Sequence, residues 1–284
     1  MTFRCEGAEL SVPDGVSDAE ALARTTHMAF GAHPDDLEIM AFAGILACFQ
    51  RPDKWFTGVV VTDGSGSPRD GVYKDYTDAA MRAVRRDEQK KAALIGEYSA
   101  AALLDYPSGA VKDAANKDPV ADIAALLEAA MPEVVYTHNL ADKHDTHVGV
   151  TLKLIEAIRS LAEGRRPRRL LGCEVWRDLD WMVDTDKIAL DCSEHQNLQA
   201  ALLGVFDSQI AGGKRYDLAT MGRRRAHATY HESHGTDVSL GLTFAMDLTP
   251  LIQDPTTDAA AFAKEHIDRF SNDVIARLSK LTAE

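Results

Sequence analysis

An α/β fold on a mostly parallel sheet is what this sequence predicts, and three observations carry it. Short apolar runs of strand length alternate with longer segments of helical periodicity through about the first 165 residues. Two of these runs end in clusters of histidine and carboxylate, at strand-to-helix turns where open parallel sheets place their ligands. A chain of 284 residues with 45% hydrophobic content can also bury a sizeable core beneath helices on both faces.

Residues 1–25 form a short lead-in, with Pro13-Asp14-Gly15 marking a turn. Strands are expected at 26–32, 55–62, 101–105 and 133–137, and helices near 39–50, 77–97, 118–130 and 147–162. Thr26 to Ala32 is the first buried run, followed by the apolar helix of Ala41 to Phe49. Val134 to Thr137 is another, and apolar periodicity resumes after it at Val148, Val150, Leu152, Leu154, Ile155 and Ile158. Glu163 to Arg169 is a polar, arginine-rich break. Beyond it lie strand-like runs at 171–177 and 187–191, a helix at 194–210, a loop at Gly212-Gly213 and an amphipathic helix over about 258–281. The expected architecture is a Rossmann-like three-layer sandwich in a single domain, with a core of about 26–165 and a C-terminal extension of about 170–284. There is no internal repeat and no low-complexity tract.

The first cluster is His33-Pro34-Asp35-Asp36-Leu37-Glu38. His33 and Asp36 stand three apart across a turn stiffened by Pro34, so an imidazole nitrogen and a carboxylate oxygen can converge on one cation and leave Asp35 free. A catalytic zinc takes three protein ligands, so a third is needed from elsewhere. The second cluster, His138 to His147, supplies three histidines and two aspartates at another strand-to-helix loop. In a parallel sheet the two loops open on the same edge and can face each other. Asp35 and Asp36 can also be read as nothing more than helix caps. Two such clusters at matching positions of one sheet argue against that reading.

Composition excludes some partners. A net charge of −13 argues against nucleic acid and anionic membrane, both of which need a basic surface. Cys5, Cys48, Cys173 and Cys192 are scattered without a Cys-x-x-Cys pair, as expected for thiols in a reducing compartment. No basic start with an apolar segment is evident, and no run approaches the ~20 apolar residues of a membrane span. The expected address is cytoplasmic and the expected partner a small molecule. A homo-oligomer remains open.

These motifs resemble the LmbE-like (PIG-L-type) zinc-dependent N-deacetylases. Their first motif, Ala-His-Pro-Asp-Asp-x-Glu, is matched by Ala32 to Glu38. Their second, often Thr-His-Asn-x-x-Asp-x-His-x-Asp-His, is matched by Thr137, His138, Asn139, Asp142, His144 and His147. A weaker Arg-x-x-Glu signature falls on Arg85 and Glu88, and Ser208-Gln209 matches a later Ser-Gln. The resemblance covers roughly Thr26 to Gln209. It departs where the family usually has aspartate before the last histidine: here stands Thr146, with Asp145 one place earlier.

The resemblance implies one Zn2+ per chain on His33, Asp36 and His147. Asp35 is then the general base for water attacking an acetamide carbonyl, and His144, as imidazolium, steadies the oxyanion and protonates the departing amine. Asp142 is expected to orient His144, with Asp145, or a weaker hydrogen bond from Thr146, as the alternatives. Arg85, Glu38 and His138 are supporting or substrate-binding candidates. The implied substrate is an N-acetylglucosamine-type sugar or glycoconjugate, giving acetate and free amine. Two other classes stay open: a metal-dependent phosphoesterase with two ions, and a non-catalytic binding protein. The loop Asp63 to Ser67 lacks the phosphate-loop ending and reads as a rim of the site. His227, His231 and His234 read as structural or rim residues, and the runs Arg165 to Arg169 and Arg223 to Arg225 as solvated charge.

Overall fold

The computed structural model describes residues 1–283. The chain opens with β1 (Glu9–Ser11), α1 (Asp18–Ala23), β2 (His27–Gly31), α2 (Asp36–Met40), α3 (Phe42–Cys48) and β3 (Phe56–Thr62). It continues through α4 (Asp78–Ile95), β4 (Ala100–Tyr106), α5 (Ser108–Lys112), α6 (Asp118–Ala130), β5 (Val134–His138) and α7 (Asp145–Ser160). The remainder is β6 (Arg169–Cys173), β7 (Lys187–Asp191), α8 (Gln196–Gly204), α9 (Asp207–Ile210), α10 (Tyr216–Tyr230), β8 (Leu242–Asp247), α11 (Thr249–Gln253) and α12 (Ala259–Thr282).

One sheet holds all eight strands, in the order β1-β4-β3-β2-β5-β6-β8-β7. The run β4-β3-β2-β5-β6 is parallel, while β1, β8 and β7 pair antiparallel at the two edges. This is the mixed α/β, mostly parallel sheet the alternation implied. The β-branched run Val59-Val60-Val61 shows why it is covered twice. Val59 and Val61 pack with Phe30, Leu104, Ile123 and Leu154 on one face, and Val60 packs with Leu37, Phe42, Ile45 and Tyr136 on the other. On that second face α3 approaches β5 closely, since a Cβ at Gly44 would lie 2.6 Å from the Tyr136 ring.

Chain order decides where the site falls. From β2 the chain crosses to β3 on one side, while β5 flanks β2 on the other. The sheet therefore reverses winding direction between β2 and β5, the crevice where ligands bind in open α/β sheets. The loops that leave those two strands carry the two histidine–carboxylate clusters.

Two expected helices are broken in two. The helix near 39–50 divides at Ala41, which has φ −110° and ψ 19°. The buried guanidinium of Arg224 donates to the carbonyls of Glu38 and Ile39, both at 2.9 Å, and so competes with continuation of the helix. The helix at 194–210 divides at Val205-Phe206, where the Phe206 ring is buried and Ser208 is tied to Glu88. The run at 171–177 stops pairing at Cys173, because Glu174 turns into the interior. No helix among the described residues is long and apolar enough to cross a membrane.

Glu174 ties the C-terminal strands to the core. Its carboxylate accepts from the Leu179 and Phe244 amides at 2.6 and 2.9 Å, from Thr243 Oγ1 at 3.1 Å, and pairs with His227 Nε2 at 3.0 Å. Burial alone would raise its pKa, but His227 and the two amides bring it below the ordinary carboxylate value. A depressed folded pKa contributes stability above the unfolded value and loses it as pH falls through the folded one. Glu174→Ala is expected to cost about 3–5 kcal/mol at neutral pH, as for other broken buried pairs. Urea melts of the two proteins should converge as the buffer is taken below pH ~4.5. A difference that stays constant with pH would contradict this.

Candidate active site

Asp35 sits at the N-terminus of α2 with φ 97° and ψ −29°, a left-handed conformation that costs energy for a residue with a Cβ. Its side chain makes no capping bond, so helix capping does not explain the residue. The strained turn instead aims its carboxyl at the cleft and is held from behind. Gln89 Oε1 accepts the Asp35 N–H at 3.3 Å, and Arg85 donates to the carbonyls of Pro34 and of Gly64, the latter at 3.1 Å. Gly64 must stay small there: it has φ 65°, and an added Cβ would come within 2.9 Å of Arg85 Nη1.

The next residue, Asp36, turns the other way. Its Oδ2 accepts the His33 N–H at 2.7 Å and lies 3.4 Å from His33 Nδ1 and 3.4 Å from His147 Nε2. His33 Nδ1 and His147 Nε2 are 3.2 Å apart. Three ligand atoms thus form a near-equilateral triangle. Ligands at about 2.0–2.2 Å on tetrahedral zinc are separated by about 3.3–3.6 Å, so the triangle matches one face of such a shell. Its donor set, two imidazoles and one carboxylate, also suits zinc.

A second carboxylate supports the triangle, and it differs from the expected one. Asp142 Oδ2 lies 3.5 Å from His147 Nδ1 and accepts the Trp176 N–H at 3.0 Å, while Oδ1 accepts the His144 backbone N–H at 2.9 Å. Asp142 therefore orients His147, which presents Nε2 to the triangle, and touches only the backbone of His144. Asp145 is exposed in the first turn of α7 and contributes to a different surface groove. Neither Asp142 nor Asp145 hydrogen-bonds the His144 ring, so the expected orienting contact is not made, although the Asp142 charge still acts on that ring to raise its pKa. Burial lowers the pKa of His144, which His147 and His33 lower further, and Asp36 and Asp142 offset only part of the fall. Its ring stands edge-on to His33 at 5.1 Å and stacks on His147 at 4.6 Å. The residue belongs to the site, with its pKa held below that of an ordinary imidazole.

The other supporting candidates act from behind the cleft. His138 is fully buried, accepts the Ala32 N–H on Nε2 at 3.0 Å and stacks against His147 at 3.8 Å. Glu38 is also fully buried and does not line the cleft, so it binds no substrate. Its Oε1 accepts from Gln89 at 2.8 Å and Tyr98 at 2.7 Å, and burial pushes its pKa up to about 7. Through Gln89 it supports the backbone of Asp35. The weak Arg-x-x-Glu and Ser-Gln signatures meet here too. Glu88 accepts the Ser208 N–H at 2.7 Å and its Oγ at 2.6 Å, which places Gln209 on the cleft wall.

Asp35 and Arg85 form the remaining pair, with Oδ2 to Nη2 at 3.4 Å. Burial drives the Asp35 pKa well above the usual carboxylate range, and Arg85 opposes that rise while Asp36, Glu38 and Glu88 reinforce it. Burial would raise Asp36 as well, but His147, His138 and His33 hold it far below. Two adjacent carboxyls are thus pushed apart in pKa, the pattern of a base beside a ligand. Removing the positive charge with Arg85→Met should raise the Asp35 pKa. The acid limb of the kcat/KM profile should then move to higher pH, and Arg85→Lys should restore part of the shift. An unmoved acid limb would separate Arg85 from Asp35.

The cleft measures about 420 Å3. His33, Asp35, Asp36, Arg85 and His144 form its floor, with Gly64, Gly66 and Ser67 on one rim. Trp176, Tyr216, Lys214 and Lys112 also line it, and no chemical motif marks them in the chain. The only available signals were Gly212-Gly213 before Lys214 and the aromatic residue closing the run at 171–177. Among the described residues the His/Asp groups with metal-ligand spacing are His33-Asp36-His147 and His138-Asp142-His147, so His227, His231 and His234 form none. His227 instead packs on Phe244 at 4.2 Å.

Residues 28–158, which span this geometry, match the family model described as PIG-L, GlcNAc-PI de-N-acetylase. No curated protein matches the chain. Among solved structures, the 4-carboxy-2-hydroxymuconate hydratase of Pseudomonas putida is 20% identical with a TM-score of 0.59, over 79% of this chain and 96% of its own. A conserved protein of Thermus thermophilus is 17% identical with a TM-score of 0.61, over 82% and 99% of the two chains. The N,N'-diacetylchitobiose deacetylase of Pyrococcus horikoshii is 15% identical with a TM-score of 0.56, over 78% and 83%. At such identities the likeness establishes the shared fold. The stretch from β2 to α7, which carries both histidine–carboxylate clusters, is the part of the chain that matches the PIG-L (LmbE-like) deacetylase family.

Proposed function

We propose that this protein is a zinc-dependent N-deacetylase acting on an N-acetylglucosamine-type sugar or glycoconjugate. The observation that carries the reading is the triangle of His33, Asp36 and His147 donor atoms, with His33 and Asp36 on the cleft floor beside the carboxyl of Asp35, which is no part of the triangle. These three residues would hold the ion. When bound, it supplies a Lewis acid that polarises the amide carbonyl and lowers the pKa of a water towards about 7.

The chain's own residues supply the rest. Asp35 faces Arg85 with Oδ2, which leaves Oδ1 to take a proton from the attacking water. The same proton can pass to the departing nitrogen, so water and amide become acetate and free amine. His144 lines the cleft without a carboxylate on its ring, and that ring, with its pKa below that of an ordinary imidazole, donates a hydrogen bond to the developing oxyanion. Arg85 and Gln89 keep Asp35 in its strained turn, so the base is aimed before substrate arrives.

One ion is favoured over the pair that a phosphoesterase would use. The second His/Asp group shares His147 with the first, and its His138 already spends Nε2 on the Ala32 N–H. Amine release from a panel of N-acetylated sugars, read with an amine-reactive fluorophore, tests the reading. Release from at least one N-acetyl sugar is expected; phosphate release from phosphoesters without any amine release would overturn it.

A further inference from the structure

We infer that the mouth of the cleft is an anion subsite built from Lys112 and Lys214 beside Trp176, so that the N-acylated substrate carries a phosphate or carboxylate. The inference rests on the amide-hydrolysing reading of the floor and adds the substrate's charge. Lys112 and Lys214 line the cleft. The ammonium of Lys214 lies 5.1 Å from the Trp176 ring centre, and that of Lys143 lies 5.9 Å from it. None of the three has an ion-pair partner among the described residues; the same holds for Lys54, Lys74, Lys91, Lys153 and Lys280, but of all these only Lys112 and Lys214 line the cleft. The neighbouring arginines are neutralised, Arg69 by Asp78 and Arg215 by Asp217. In a chain with 44 acidic and 31 basic residues, two such lysines on one cleft set a local positive charge at its mouth. A second observation points the same way: the buried hydroxyl of Ser67, on the same cleft, has no hydrogen-bond partner. An anionic group entering between these side chains would meet donors that the fold leaves unspent.

Calorimetric titration of the full-length protein tests this with neutral N-acetylglucosamine, N-acetylglucosamine 6-phosphate and N-acetylmuramic acid. At least one acidic sugar should bind about ten- to a hundredfold more tightly than the neutral one, the usual range for a charge-assisted contact. Lys214→Gln should remove most of that advantage and leave the neutral sugar unchanged, while Lys214→Arg retains it. The two acids separate phosphate from carboxylate as the source. Equal affinities, no binding of either acid, or a preference that survives in the Lys112→Gln, Lys214→Gln double variant would each overturn the subsite. Binding is read without turnover. Tight binding with no amine release therefore counts against deacetylation alone, and amine release with no acidic preference counts against the subsite alone.

An independent observation concerns α12. This helix stays docked as far as Arg269, which pairs with Asp186, and Phe270, whose ring lies 6.3 Å from that of Trp181, and along it Ile267, Phe270, Val274, Leu278 and Leu281 are 50%, 39%, 39%, 59% and 75% exposed. At 100° per residue all five fall within about 40° of one line along the helix. Their spacing is symmetric about Val274, with Phe270 and Leu278 four residues away and Ile267 and Leu281 seven. We propose that this stripe pairs antiparallel with the same stripe of a second copy, with the dyad at Val274. Charge fits that orientation. Asp273 and Arg277 lie on the same flank of the stripe, so each Arg277 meets the partner's Asp273. A parallel pair would set that flank against Ser271 and Ile275 instead.

Sedimentation equilibrium should give a dimer for the wild-type chain and a monomer for Leu278→Asp, with unchanged circular dichroism because the side chain is exposed. A short bis-maleimide linker should join Val274→Cys copies to each other. Leu281→Cys should cross-link only when mixed with Ile267→Cys. A monomeric wild type, a Leu278→Asp dimer, or efficient Leu281→Cys self-linking would overturn the pairing.

Discussion

Asp35→Asn is expected to retain its metal and lose turnover by roughly 10²–10⁴-fold, the usual cost of a missing general base. The substitution keeps the size of the side chain and the Gln89 contact to the Asp35 backbone, so the strained turn should survive. What it removes is proton acceptance at the one carboxyl on the floor whose pKa is driven up by burial while its neighbour's is held down. Metal content by plasma mass spectrometry and amine release on the same sample separate the two effects. Near-normal turnover in a metal-replete variant would remove Asp35 from the chemistry.

The second large effect distinguishes direct ligands from the residue that orients one of them. Alanine at His33, Asp36 or His147 breaks the donor triangle and should abolish metal retention through purification. Asp142→Asn leaves all three donors in place, weakens the contact to His147 Nδ1 and gives up one of the two backbone amides the carboxylate accepts, from Trp176 or from His144. It should therefore bind metal about 10–100-fold more weakly, as for other lost partners of metal-bound histidines. Asp145→Asn should change neither affinity nor rate, because that side chain is exposed and on another surface. Full metal retention in the His147 variant, or a larger loss in the Asp145 variant than in the Asp142 variant, would contradict the assignment.

The sequence was most informative where local pattern and long-range packing demand the same thing. β2, β3, β4 and β5 begin and end within two residues of the expected runs, since each is an apolar segment buried on both faces. The near meeting of His33 and Asp36 was legible because a three-residue spacing across a Pro-stiffened turn is a local matter. The partner of His144 was not. Whether Asp142 reaches a ring two residues on or five residues on depends on how the loop folds back beneath Trp176, whose N–H the carboxylate accepts. The same limit hid α10 and β8. The periodicity of α10 is masked by Arg223, Arg224 and Arg225, one of which is buried against carbonyls of α2, and β8 is defined by its antiparallel neighbours β6 and β7. Helix breaks at Ala41 and Val205-Phe206 likewise come from contacts made by residues far along the chain.

The decisive experiment is a zinc titration of chelator-stripped protein, with amine release followed at each addition. The triangle of His33, Asp36 and His147 predicts no activity in the stripped protein and a linear rise that saturates at one equivalent of zinc per chain. Activity before any metal is added, or saturation only at two equivalents, would contradict it.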